Sequence, residues 1–404
     1  MHRLLICISL LLVPLLPYSL KEPFVLLCIS AFAVLIQLQK KEFTGHNKWL
    51  TSLMVYLPVS FYSAPQVFKI PLGAEDLGGS WSWKALAWCF GYYMTYLCIS
   101  RISLNERHKK KIALCVVIPA VISALYGIVQ SLNIDQWQYC LPGNQILGAE
   151  RPNITAVIGN ATYLGTYLSM SLPFVWAYAR KWTALIVAGI IISGSDTAIL
   201  GILAALVIAW LVRKNNKILW VSAIAVVVVS WSIIAEQIVI HQNGRLPVWE
   251  NTLKDSLSAP VIYDIPANAT QEERNTLEAK NKRAYTITGR GLGSFAVFYT
   301  LKHGEPKYAT WKECHNEYLE TFYSIGAVGL FLVFMAIGWI LWKARAAVYD
   351  KFFSTIYISS IFSVISAITL PVWHQNILQF YIVFLFSMLS GFIFKNKWKK
   401  SQKK

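Results

Sequence analysis

Charge is scarce in this sequence, and acidic charge is scarcest: 14% of its 404 residues are charged, with 20 Asp and Glu against 37 Lys and Arg. A soluble domain carries about a quarter charged residues, so that class fits poorly. No Asp-x-Asp pair occurs anywhere, so metal-dependent handling of a nucleotide sugar lacks its usual ligands. His315 has Glu317 and Glu320 near it, but not at the three- or four-residue spacing of a helical metal site. The seven cysteines form no zinc-ligand pattern. Gly289–Gly293 is a fragment of a glycine loop without the strand–helix–strand context of nucleotide binding. Its glycines fit a tight backbone turn or a close approach to a substrate better.

What is present in abundance is hydrophobic sequence, at 56% of residues with a mean hydropathy of +0.47. About twelve apolar runs approach the roughly 20 residues that cross a bilayer, near 4–20, 23–38, 49–63, 83–100, 112–130, 160–179, 183–194, 197–212, 217–235, 317–341, 352–371 and 375–394. The pattern predicts an all-α polytopic membrane protein, one integral domain over 1–404. The first run follows Arg3 but contains Pro14 and Pro17 and lacks a small-x-small cleavage site, so it is read as a retained span.

With the N-terminus cytoplasmic, alternate loops hold 23 basic residues against three acidic ones, Glu42, Glu106 and Asp350. The opposite side keeps 14 basic and 17 acidic residues. Every loop then obeys the positive-inside rule, which places both termini in the cytoplasm. The net charge of +17 therefore orients the chain and favours anionic headgroups; no nucleic-acid footprint is needed to explain it. Cys140 and Cys314 fall in outward loops, where they either pair or stay as two free thiols. The other five cysteines lie in or beside spans as small core residues.

Chemistry is sought among the outward polar segments. The largest, 236–316, contains a charged stretch Gln271–Arg283 that reads as a surface helix, and a loop of that length is unusual without a function. It runs into Trp311–Glu320, a polar cluster at the mouth of an apolar helix, with Gly326 and Gly329 beyond. Outward arginines lie at Arg151, Arg245 and Arg290, beside glycine or aromatic residues. Pro152 keeps Arg151 on an extended segment, and Asn160 is placed to cap the next helix, where Gly165 allows close helix contact. In the turn before the eighth run, Ser195 or Asp196 reads as a cap. Arginine offers phosphate a permanent charge and a planar fork of donors. Histidine removes a proton near neutral pH. Together above a bilayer they fit transfer from a lipid-linked phosphate or pyrophosphate to a hydroxyl. The plainer alternatives are a structural histidine and arginines that meet headgroups.

His315-Asn316-Glu317-Tyr318-Leu319-Glu320 followed by Gly326 and Gly329, Gly289–Phe295 upstream, Arg245-x-x-x-Trp249 before that, and Arg151–Gly165 resemble the O-antigen ligase and polymerase family in order and spacing. The resemblance covers about residues 145–340. It implies a GT-C-type glycosyltransferase fold with a large periplasmic loop before span ten, in a bacterial inner membrane. The implied reaction moves a glycan from undecaprenyl pyrophosphate to an acceptor hydroxyl such as lipid A-core, on the periplasmic face, with no nucleotide, metal or other cofactor. By position, the resemblance makes His315 the general base and Arg245 a pyrophosphate ligand, with Arg290, Arg151, Asn316, Tyr318 and Glu320 as further substrate-binding candidates. One departure stands out: the family's usual Ser-Arg before span eight is Ser195-Asp196 here. A polymerase using the same donor and a protein O-oligosaccharyltransferase share these motifs. A polysaccharide or lipid transporter is the non-enzyme alternative, weakened by the few charges within the spans.

Overall fold

The computed structural model describes residues 2–16, 24–32, 48–63, 79–132, 156–158, 160–195, 197–199, 201–203, 207, 245–257, 270–290, 295, 314, 316–368 and 376–401. Among them the regular structure is helical, with no strand. In chain order the helices are α1 (His2–Leu12), α2 (24–32), α3 (Lys48–Ser63), α4 (Gly79–Ser100), α5 (Glu106–Ser131), α6 (Ala161–Tyr178) and α7 (Thr183–Ile192). After these come α8 (Arg245–Leu257), α9 (Gln271–Thr288), α10 (Glu317–Ala344), α11 (Lys351–Ser366) and α12 (Asn376–Ser401).

Several starts are written locally. Asn105, Asn160, Asn316 and Asp350 each sit in extended backbone and accept amide hydrogens from the first turn of α5, α6, α10 and α11. Ser195 accepts the Ala198 amide at 3.3 Å, so it caps the short helical stretch that follows. The surface helix expected over Gln271–Arg283 forms and continues to Thr288. Its start is a reciprocal box, in which Thr270 N–H donates to Glu273 and Glu273 N–H donates to the Thr270 hydroxyl.

Among the described residues, three stretches are long and apolar enough to cross a membrane: Glu106–Ser131, Glu317–Tyr349 and Leu378–Lys395. The remaining apolar runs among the described residues are shorter helices, or helices diluted by aromatic and hydroxyl side chains. The run 217–235 lies outside the described residues. Helices α5, α6 and α7 pack on one another, α1 lies on α5, and α11 lies on α6. Helix α12 packs against α4 and α11, and α3 against α10. Their apolar side chains form a core that runs from Ile6 to Leu389.

The two ends of this bundle differ in chemistry. At one end Arg3 donates to Ser103 O at 2.8 Å and lies 3.0 Å from His108 Nε2, while Lys109 bridges Asp350 at 2.7 Å and Glu106 at 2.8 Å. Lys351 caps the Tyr178 ring at 4.9 Å nearby. These residues come from loops that the charge pattern assigns to one side. At the other end Gln130 accepts the Ala156 amide, Gly165 lies against Ser193 and Ser195, and the Glu317 amide donates to Ala367 O at 2.9 Å. A Cβ on Gly165 would sit 2.6 Å from Ser193 Oγ, which makes that glycine a point of close approach.

Candidate functional site

Helix α8 supplies the first wall. Its inward face carries Val248, Thr252, Asp255 and Ser256, spaced as one side of a helix, and all four are buried. Its outward face carries the exposed pair Glu250–Lys254. The buried hydroxyls bond back to the preceding turn, Thr252 to Val248 O at 2.5 Å and Ser256 to Thr252 O at 2.7 Å, so their burial is compensated. Arg245 opens this helix one turn before Trp249. The arrangement of its side chain lies outside what is described.

The second wall is the end of α9. Thr286 donates to Ser256 O at 3.2 Å, and the chain then turns at Gly289 with φ +76°. Helix α10, the third wall, breaks at Gly326, where φ is +68° and ψ −174°. These two glycines cross. A Cβ on Gly289 would overlap the Ser324 carbonyl and Ile325 amide, and one on Gly326 would overlap the Ile287 carbonyl. Two backbones therefore touch where no side chain fits. Tyr56, reaching over from α3, donates its hydroxyl to Ile325 O at 3.0 Å and lies 3.4 Å from Ile287 O.

Arg290 follows the crossing and is only 4% exposed. Its amide donates to Tyr323 O at 3.0 Å, its guanidinium lies 4.4 Å from the Tyr323 ring centre, and Nη2 donates to Asp255 O. The Phe295 ring meets Tyr323 edge-on at 5.5 Å. Arg290 thus ties all three walls together, whatever else it binds.

Cys314 sits at the centre of this cluster, buried with Val248, Phe295 and Tyr323. Trp249 Nε1 donates to its carbonyl at 2.9 Å, and its amide donates to Glu320 Oε2 at 2.9 Å. The thiol is free and 3.5 Å from Thr252 Oγ1. Burial pushes its pKa up to about 12, the Glu320 and Glu317 carboxylates add to that, and the Thr252 hydroxyl opposes it. This is an inert thiol in a structural place. Its suggested partner Cys140 lies outside the described residues.

Asn316 caps α10, its Oδ1 accepting from Tyr318 N at 3.1 Å and Leu319 N at 3.0 Å. Tyr318 stacks on Phe334 and donates to Val364 O at 2.7 Å. Glu317 and Glu320 are 2% and 6% exposed in the first turn, where the positive end of the helix dipole favours carboxylates.

The sequence-assigned residues therefore divide. Arg290, Asn316, Tyr318 and Glu320 lie in this cluster or at its edge, and α8, with Arg245 at its start, forms one wall of it. His315, Arg151, Asp196 and His374 lie outside the described residues, although both chain neighbours of His315 are among them. Sequence reasoning missed Tyr56, Thr252, Asp255, Ser256 and Tyr323. For α8 the signal was there, in polar residues at helical spacing from Val248. Among the described residues no group of three or more His, Cys, Asp or Glu could hold a metal ion. Comparison of the chain with protein-family models and with curated proteins found no match.

Proposed function

We propose that this chain is a membrane glycosyltransferase of the O-antigen ligase and polymerase kind, with about twelve spans, a GT-C-type fold and its site on the periplasmic face. One observation carries the reading. Three of the segments on which the resemblance rests, separated in sequence, meet in one cluster: Trp249 bonds Cys314 across 65 residues, and Arg290 and Phe295 both lie on Tyr323. Motifs that merely shared a composition with the family would have no reason to converge.

In the reaction, the acceptor hydroxyl oxygen forms the new glycosidic bond while the sugar–phosphate bond breaks. The polyprenyl pyrophosphate leaves with the bonding electron pair, and the hydroxyl proton passes to His315 as general base. The leaving group needs charge neutralisation more than protonation, which is the part given to Arg245 with Arg151. Arg290 serves chiefly to hold Tyr323 and Asp255, and adds positive potential to the cluster.

Replacing His315 by Ala tests the reading in cells that lack the native copy. The variant is expected to insert and accumulate but transfer no glycan. Unimpaired transfer would remove His315 from the reaction, and a dead His374→Ala beside an active His315→Ala would move the base to the other outer turn. Lipopolysaccharide banding of the deletion strain sorts the two acceptors: loss of all polymer on lipid A indicates a ligase, and retention of a single repeat indicates a polymerase.

A further inference from the structure

The end of the bundle where Arg3 meets His108 is built from three segments distant in sequence. They are the first turns of α5, the turn Arg180–Trp182 after α6, and the turn Arg345–Tyr349 between α10 and α11. Side chains tie them together. Lys109 of α5 bridges to Asp350 at the start of α11, and the exposed Lys351 lies 4.9 Å from the Tyr178 ring at the end of α6. Lys109 is buried and also bridges to Glu106, so one internal cation takes up both acidic groups described on this surface. The other cations are turned outward: Arg107, Lys110 and Lys111 on the first segment, Arg180 and Lys181 on the second, and Arg345 on the third. Several of them stand on aromatic rings instead of carboxylates. Arg180 lies 4.8 Å from the Trp176 ring centre, Lys181 5.4 Å from that of Trp182, and Arg345 4.2 Å from that of Trp342. Such a ring holds a cation through its quadrupole and leaves the charge uncompensated.

The helices give this surface its depth. The membrane-length stretch Glu106–Ser131 begins at it, and Glu317–Tyr349 ends at it. The tryptophans there are exposed, Trp176 by 57% and Trp342 by 65%. Cations and exposed indole rings at the ends of such stretches lie at the level of lipid headgroups. We propose that this surface is a binding site for anionic phospholipids, with Arg180, Lys181, Arg345 and Lys351 supplying the charge for lipid phosphates. The occupant is a lipid because a soluble anion has no apolar part for the exposed rings to cover. The site lies on the side that the charge pattern assigns to the cytoplasm, at the far end of α10 from the Arg290 cluster. It stands whether or not the chain transfers glycan.

The test melts the purified full-length protein in neutral detergent with increasing dioleoyl-phosphatidylglycerol, and separately with dioleoyl-phosphatidylcholine. A ligand that binds the folded protein raises the melting temperature as its concentration rises. Phosphatidylglycerol is expected to raise it well above the same amount of phosphatidylcholine. Each cation near an anionic lipid surface contributes about fivefold in affinity. The quadruple variant Arg180→Gln, Lys181→Gln, Arg345→Gln and Lys351→Gln should therefore need at least about a hundredfold more phosphatidylglycerol for the same rise. A control takes the same charge from the basic C-terminal tail, with Lys397, Lys399, Lys400 and Lys403 all replaced by Gln, and is expected to respond as wild type does. An equal rise with both lipids overturns the proposal, as does a wild-type response in the surface variant. Equal loss in the tail variant overturns it too, because net charge and not a built surface would then be at work. An equal rise with sodium phosphate or polyglutamate at matched charge assigns the surface to a soluble anion and also overturns it. Should the quadruple variant fail to accumulate, Arg180→Gln with Lys351→Gln decides: a loss of about 25-fold supports the site, and a wild-type response overturns it.

Discussion

Replacing Gly326 by alanine tests the crossing on which the site is built. The residue sits at φ +68° and ψ −174°, a region that side chains other than glycine's rarely enter. Forcing alanine into it costs about 1–3 kcal/mol. A Cβ there also overlaps the Ile287 carbonyl, and backbone on the opposite segment cannot swing aside as a flexible side chain can. Taking about 3 kcal/mol for both effects, the intact crossing loses a factor of roughly 150 in population. Gly338 is the control in the same helix, because a Cβ there meets nothing within 4 Å. Gly338→Ala is expected to match wild type or gain up to about 1 kcal/mol from helix propensity. Thermal melting in detergent and glycan transfer in cells provide the readouts. Gly326→Ala should melt several degrees lower and transfer poorly, with Gly338→Ala normal in both. If the two variants behave alike, the crossing does not hold the site.

Further outcomes follow from the same contacts. Arg245→Lys is expected to cut transfer at least tenfold without lowering protein yield, because a point charge does not replace a planar fork on pyrophosphate; wild-type activity would make that arginine structural. Asp350 both caps α11 and pairs with Lys109, so Asp350→Asn, which can still cap, should destabilise less than Asp350→Ala by about 1 kcal/mol in melts. Burial alone would raise the Asp350 carboxyl, but Lys109 and the Phe353 and Phe352 amides outweigh it and hold the pKa below its ordinary 3.8. That contribution is full above this value and is lost as pH falls through the depressed one, so the stability gap between wild type and Asp350→Asn should narrow in acid and stay constant from pH 5 to 8. Cys314, buried and with its thiol pKa raised to about 12, should resist alkylation in the native protein and label on unfolding without a reductant.

The parts of this molecule that follow from neighbours in sequence could be read in advance. Asn160 and Ser195 are caps because a short polar side chain precedes a helical run, and the helix over Gln271–Arg283 shows in its charge pattern; Asn316, read as a substrate-binding candidate, caps α10 by the same local rule. The turn at Gly289 was read from its glycine run, but its crossing with Gly326 was not legible, since Gly289 is demanded by the Ser324–Ile325 backbone and Gly326 by the Ile287–Gly289 backbone, distant along the chain. Tyr56 gave no signal at all: it lies within an apolar run and acts by reaching the Ile325 carbonyl at the break in α10 and the Ile287 carbonyl at the end of α9. Cys314 read as an outward loop thiol, and it is buried because Val248, Phe295 and Tyr323 close around it. Arg290 read as a free phosphate ligand, yet its guanidinium already faces Asp255 O and the Tyr323 ring. Local pattern finds caps and helix faces, while a site assembled from distant segments depends on packing that no single window contains.

The proposed reaction cleaves a lipid–pyrophosphate-linked glycan and joins it to a hydroxyl with the chain's own residues. The direct measurement is transfer by the purified protein in liposomes, with a polyprenyl-pyrophosphate glycan as donor, lipid A-core as acceptor, and no nucleotide or divalent metal added. Wild type is expected to place glycan on the acceptor and release polyprenyl pyrophosphate, and His315→Ala to do neither. Movement of the intact glycan lipid across the bilayer without cleavage, or equal product from His315→Ala, would contradict it.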